Sequence, residues 1–115
     1  MTLGNADKLA KILQAVSETV DARAEAGDAE ASYTATLLAK GPEKTAKKLG
    51  EEAVELAIAL SAQSDDEVIG ETADVLFHLL VALRSRNISL DQIAETLAAR
   101  QGVSGLVEKA SRPKD

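Results

Sequence analysis

Aromatic side chains are nearly missing from this chain: Tyr33 and Phe77 are the only two in 115 residues, and there is no Trp. Packed β-sheets draw on aromatic and β-branched residues to fill a pleated surface. Here twenty-one alanines, the strongest helix formers, stand against two prolines. The balance predicts an all-α fold. At 12.0 kDa the chain is long enough for one domain and too short for two. A content of 45% hydrophobic and 28% charged residues is that of a folded globular protein, not of a disordered one.

The same scarcity argues against stacking on single-stranded nucleic acid. A net charge of −6 argues against a phosphate-backbone binder, although a bound divalent metal can reverse the local sign and admit a nucleotide. There is no cysteine, which excludes disulfides, thiolate chemistry, Cys-ligated zinc and iron–sulfur centres. The lone histidine, His78, excludes a multi-histidine metal site. The opening MTLGNADKLA has no apolar stretch after a basic start, so no signal peptide is expected. The longest nearly apolar run, Val75 to Leu83, is broken by His78 and falls far short of the roughly 20 residues of a membrane span. The expected compartment is a reducing cytoplasm, with neither nucleic acid nor membrane as partner.

Helical spacing marks five segments. Asn5 is the expected cap of the first, which carries Leu9, Ile12, Leu13, Val16 and Val20 and fades near Gly27. A short second helix follows Ser32 and stops at Gly41. Pro42 opens a third, with Glu43 favourable at its N-terminus, running to about Ala62. Ser64, Asp65 and Asp66 read as a turn and N-cap for a fourth helix, from about Asp66 to Arg86, with Asn87 as a left-handed C-terminal cap. Ser89 and Gln92 form a capping-box pattern for a fifth, Leu90 to Arg100, ended by Gly102. The expected domain is 1–102, followed by a tail at 103–115.

The third and fourth helices carry the chemistry. On the third, Leu49, Ala53, Leu56 and Leu60 form an apolar stripe, flanked by a second stripe of Lys48, Glu52, Glu55 and Ala59. On the fourth, Ile69, Ala73, Leu76, Leu80 and Leu83 are flanked by Glu67, Glu71, Asp74 and His78. Residues at i and i+3 share a helix face. Two antiparallel helices joined by a short turn therefore bring Glu52, Glu55, Glu71 and Asp74 to one seam. Carboxylates are hard oxygen ligands suited to Mg²⁺ or Mn²⁺, and four so close repel one another unless a cation is present. Such a cation can polarise a phosphoanhydride and lower the pKa of an attacking water. The competing reading is a solvated face with ordinary surface pairing. His78 reads as a packed, hydrogen-bonded histidine; a ferritin-like dimetal bundle, which needs Glu-x-x-His on two helices, does not fit.

The stretch GPEKTAKKLGEEAVELAIAL, followed by GETADVLFHLLVAL, resembles the phosphoribosyl-ATP pyrophosphohydrolase family of histidine biosynthesis, within the all-α, MazG-type nucleotide pyrophosphohydrolases. The superfamily mark, Glu-x-x-Glu and then Glu-x-x-Asp, falls on Glu52, Glu55, Glu71 and Asp74. SYTATLLAKG (Ser32 to Gly41) and SGLVEKASR (Ser104 to Arg112) favour this family among its neighbours. The resemblance covers nearly everything from Ser32 onward, with no departure at the metal-binding positions, while the first helix is generic.

The resemblance implies hydrolysis of phosphoribosyl-ATP to phosphoribosyl-AMP and pyrophosphate. Water attacks between the α- and β-phosphates with Mg²⁺ present, Mn²⁺ being a possible substitute. It makes Glu52, Glu55, Glu71 and Asp74 the metal ligands. Glu51 is a base, an additional ligand or a solvated neighbour. Lys44 and Lys48 can hold phosphate oxygens as point charges or form ordinary i, i+4 pairs. Tyr33 can stack on the base or anchor the short helix. In the tail, Lys109 and Arg112 form a basic pair for the distal phosphate of the phosphoribosyl group, or belong to an ordinary chain end. The fourth helix is apolar on nearly every side between Val75 and Leu83, and five short helices cannot enclose it. A bundle formed across a homodimer is therefore expected. Two other functions share parts of this pattern: a house-cleaning nucleoside triphosphate pyrophosphohydrolase, and a non-enzymatic helical dimerisation module. Contact with a separate cyclohydrolase is left open by the sequence.

Overall fold

Serine caps set three of the five helix starts. In the computed structural model, which describes residues 2–29 and 32–102, the helices are α1 (Asp7–Ala26), α2 (Tyr33–Ala39), α3 (Pro42–Ala62), α4 (Asp65–Ser85) and α5 (Leu90–Arg100). No strand occurs among the described residues, and the fold is all-α. Ser32, Ser64 and Ser89 each accept a hydrogen bond from the backbone N–H three residues on, at 3.2, 3.3 and 3.3 Å. At Ser89 the box closes, because Gln92 Oε1 accepts from the Ser89 N–H at 2.9 Å. The tail at 103–115, with Lys109 and Arg112, lies outside the described residues.

Helix boundaries also depend on left-handed backbone. Asn87 adopts φ 56°, and Ile88 N–H reaches back to Leu83 O while Asn87 N–H reaches Arg84 O. This is the Schellman closure that the sequence position of Asn87 predicts. Gly41, at φ 87°, turns the chain between α2 and α3 ahead of Pro42. The start of α1 differs from expectation. Ala6, already helical in conformation, occupies the N-cap position, and Asn5 Oδ1 instead accepts from Asp7 N–H one residue earlier, at 2.8 Å.

The core forms where α1, α2 and α4 meet. Val20, Leu37 and Val81 are buried together, with Val16, Leu38 and Phe77 packed against them. Arg84 of α4 clamps α1 from outside, with Nε 2.9 Å from Asp21 Oδ1 and Nη2 3.6 Å from Glu25 Oε1. Those acids are exposed, so the clamp contributes orientation more than stability. None of the residues of α5 is buried.

The dominant pairing is the antiparallel hairpin of α3 and α4. Its open end is fastened by buried Thr45, whose hydroxyl lies 3.0 Å from that of Ser85. The turn at Gln63 and Ser64 closes the other end. The hairpin decides which stripe of α3 is buried. The apolar stripe of α3 does not face inward: Ala53 and Leu60 are exposed, and Leu49 and Leu56 are only half-buried. The buried positions are Thr45, Glu52 and Ala59, on the neighbouring polar stripe. On α4 the pattern is mixed, with Ile69 and Ala73 of the apolar stripe exposed, Leu80 of that stripe buried, and His78 of the polar stripe buried. Within the chain α3 packs chiefly on α4 and less on the short α2, and Val54, Ile58 and Leu60 on α3 are left exposed.

Candidate metal centre

Because the polar stripes face each other, the hairpin closes on its own acids. Glu52 and Glu55 stand one turn apart on α3, and Glu71 faces them from α4. One carboxylate oxygen of each lies within 4.8 Å of the other two. Glu52 is buried, at 7% exposure. Glu71 Oε2 is also buried and has no hydrogen-bond partner among the described residues. Its carboxyl is pushed above the ordinary glutamate value of 4.5, first by burial and then by the charges of Glu55, Asp74 and Glu52. Asp74, at i+3 from Glu71, is exposed and does not join the trio, although its charge is felt there.

Lys48 is the cation beside this cluster. Its Nζ is 3.3 Å from Glu52 Oε1 and 3.9 Å from Glu51 Oε2. The ammonium is held above its usual value, first by the hydrogen bond to Glu52 and next by the nearby Tyr33 phenol. Glu51 thus points to Lys48 and not into the trio. Lys44 is exposed near the start of α3.

Tyr33, the first residue of α2, reaches α4. Its hydroxyl is 3.1 Å from His78 Nε2, and its ring lies nearly parallel to Phe77, with centroids 6.5 Å apart at 19°. His78 is buried and bonded through both ring nitrogens, as its sequence position suggests. The link between Tyr33 and His78 escaped the sequence reading, because it spans 45 positions. The available signal was that these are the chain's only Tyr and only His.

The donor set fits a divalent cation. Every candidate ligand is a hard carboxylate oxygen, and the buried oxygen of Glu71 lacks any partner. The chain is thus an all-α protein whose helical hairpin brings three glutamates together. Residues 13–101 match the family described as phosphoribosyl-ATP pyrophosphohydrolase, and the chain belongs to that family. The match reaches back into α1, beyond the motifs that carried the resemblance. Phosphoribosyl-ATP pyrophosphatase 1 of Rhodopseudomonas palustris is 54% identical over 103 residues, covering 90% of this chain and 95% of the relative. Phosphoribosyl-ATP pyrophosphatase of a Caulobacter species is 50% identical over 106 residues, covering 92% and 97%. That of Ruegeria pomeroyi is 50% identical over 103 residues, covering 90% and 97%.

The raised Glu71 carboxyl has a thermodynamic consequence. The native state holds this proton more tightly than the unfolded chain does, so this group's effect on stability turns unfavourable as pH rises through its titration range. Glu71→Gln, in cation-free protein at neutral pH, is expected to raise Tm by a few degrees. The gain should vanish below the ordinary value of 4.5, where the wild-type carboxyl is protonated in both states. Adding Mn²⁺ should raise the wild-type Tm and leave that of the variant nearly unmoved. Thermal melts across pH, with and without the metal, check both statements.

Proposed function

We propose that this protein hydrolyses phosphoribosyl-ATP to phosphoribosyl-AMP and pyrophosphate, a step of histidine biosynthesis, in a Mg²⁺-dependent reaction in the cytoplasm. The observation that carries this reading is the convergence of Glu52, Glu55 and Glu71 in a chain of this family. Among the described residues no helix is long and apolar enough to cross a membrane.

Glu52, Glu55 and Glu71 would hold the cation, with Asp74 reaching in from the next turn of α4. Once bound, the cation would polarise the α,β-phosphoanhydride and ease deprotonation of the attacking water. Lys48 stands beside Glu52 and turns its ammonium to a phosphate oxygen as the nucleotide enters. Glu51 holds Lys48 from its far side. Lys44, near the start of the same helix, adds a second point charge. Glu52→Gln, Glu55→Gln, Glu71→Gln and Asp74→Asn should each lower pyrophosphate release by orders of magnitude while the fold persists. Near-normal turnover in two of them would overturn the ligand assignment. A stronger preference for a non-canonical nucleoside triphosphate would place the enzyme among the house-cleaning pyrophosphohydrolases instead.

The uncovered faces of the hairpin support a homodimer. Ile58 and Leu60 on α3, and Ile69 on α4, are at least half exposed, at 50%, 65% and 67%. The radius of gyration, 16.1 Å, exceeds the roughly 13 Å of a compact chain of this length. A second copy laid against these stripes covers them by two-fold symmetry. Sedimentation should give twice the 12.0 kDa chain mass, and Leu60→Glu should lower it toward one. A fully active wild-type monomer at micromolar concentration would contradict the dimer.

Phosphoribosyl-ATP carries a distal phosphate that needs a cation away from the metal. Lys109 and Arg112 supply one from the tail in this reading. Truncation after Gly102 should raise KM for phosphoribosyl-ATP, narrow its preference over ATP and leave Mn²⁺ affinity intact. Unchanged KM and selectivity would remove the tail from the site.

A further inference from the structure

His78 has a defined hydrogen-bond polarity. Its Nδ1 lies 2.8 Å from the backbone carbonyl oxygen of Asp74, one turn earlier on α4. A carbonyl only accepts, so Nδ1 carries the hydrogen. In the neutral ring Nε2 is then the acceptor, and the Tyr33 hydroxyl 3.1 Å away donates to it. With the ring neutral, the phenolic proton is turned inward and the oxygen keeps only lone pairs for other partners. Phe77 fixes the rest of the arrangement. It lies nearly parallel to the Tyr33 ring and meets His78 edge-on, at 5.1 Å and 87°. A solvated tyrosine hydroxyl rotates to suit any neighbour, and this one is held.

The partner of this hydroxyl, His78, stands on the acidic stripe of α4, one turn after Asp74 and two after Glu71. Tyr33 is 55% exposed and lies near the Lys48 that pairs with Glu52. Phosphate oxygens are acceptors and find no partner in an oxygen presenting lone pairs. Hydroxyl and amino groups do.

We propose that His78, on the same stripe of α4 as Glu71 and Asp74, is a positioning residue that locks the Tyr33 hydroxyl as a hydrogen-bond acceptor, where it receives a sugar hydroxyl or a base amine of the nucleotide. The phosphates are left to Lys48 and the acids, so the pair sets the orientation of the bound nucleotide. The inference rests on the nucleotide hydrolysis proposed above.

A double-mutant cycle on KM for phosphoribosyl-ATP tests it, with melting temperature and Mn²⁺ binding confirming that each variant is folded. Tyr33→Phe and His78→Phe should each raise KM about three- to tenfold, the loss of one neutral hydrogen bond, with the smaller part of the effect in kcat. The double variant should be no worse than either single one. His78→Gln, whose amide oxygen can take the Tyr33 proton, should return KM to within about twofold of wild type. Should His78→Phe fail to fold, Tyr33→Phe and His78→Gln decide the matter alone. Competition by ATP, 2′,3′-dideoxy-ATP and ITP separates the two donors. The Tyr33→Phe penalty should disappear with the dideoxy compound if a sugar hydroxyl is the donor, and with ITP if the amine is. A penalty that persists with both, additive single variants, or unchanged KM in Tyr33→Phe would overturn the proposal. A wild type that releases no pyrophosphate from phosphoribosyl-ATP would overturn the hydrolase reading itself, whereas additive variants of an active enzyme overturn only the positioning role.

Discussion

Repulsion among Glu52, Glu55 and Glu71 is the constraint that the rest of the molecule accommodates. Three carboxylates with oxygens within 4.8 Å of one another, one of them buried without a partner, oppose the packing of the two helices that carry them. The hairpin holds despite this because it is fastened at both ends, by the turn at Gln63 and Ser64 and by the Thr45 and Ser85 hydroxyls. Lys48 neutralises part of the charge from the side. The apolar core lies further along α4, where Val20, Leu37 and Val81 join α1, α2 and α4. Chemistry and core therefore occupy different lengths of α4, with Glu71 and Asp74 in its first half and Val81 in its second.

How much of this was legible depends on range. Caps are local, and Ser32, Ser64, Ser89 and the Gly41–Pro42 junction stand where the sequence puts them. Asn87 is legible because few residues other than glycine accept a positive φ. Asn5 misled by one position, since its side chain bonds Asp7 without being the formal cap. The acidic pairs were readable for the same reason as the caps, because i and i+3 share a face whatever the helix packs against.

What periodicity could not reveal is which face turns inward. It separates Leu49, Ala53, Leu56 and Leu60 from Lys48, Glu52, Glu55 and Ala59, and carries no information about the neighbour of either stripe. The general preference for burying the apolar one fails here. Alanine at position 59 and threonine at 45 let the polar stripe approach α4 closely enough to serve as its interior. The Tyr33 and His78 contact was hidden for a different reason. It joins α2 to α4 across 45 positions, and no spacing rule extends that far.

All three members of the trio are glutamates, and Asp74, one methylene shorter, is the acid left outside. With both ends of the hairpin tied, the helix axes have little freedom to approach or part. Each glutamate, however, has three side-chain torsions between its backbone and its oxygens. A donor cage hung from a stiff frame on jointed arms can contract or widen without moving its supports. A cation held there, as proposed, would be met by rotation of side chains whatever its radius, while Tyr33 and Lys48 keep their places on α2 and α3.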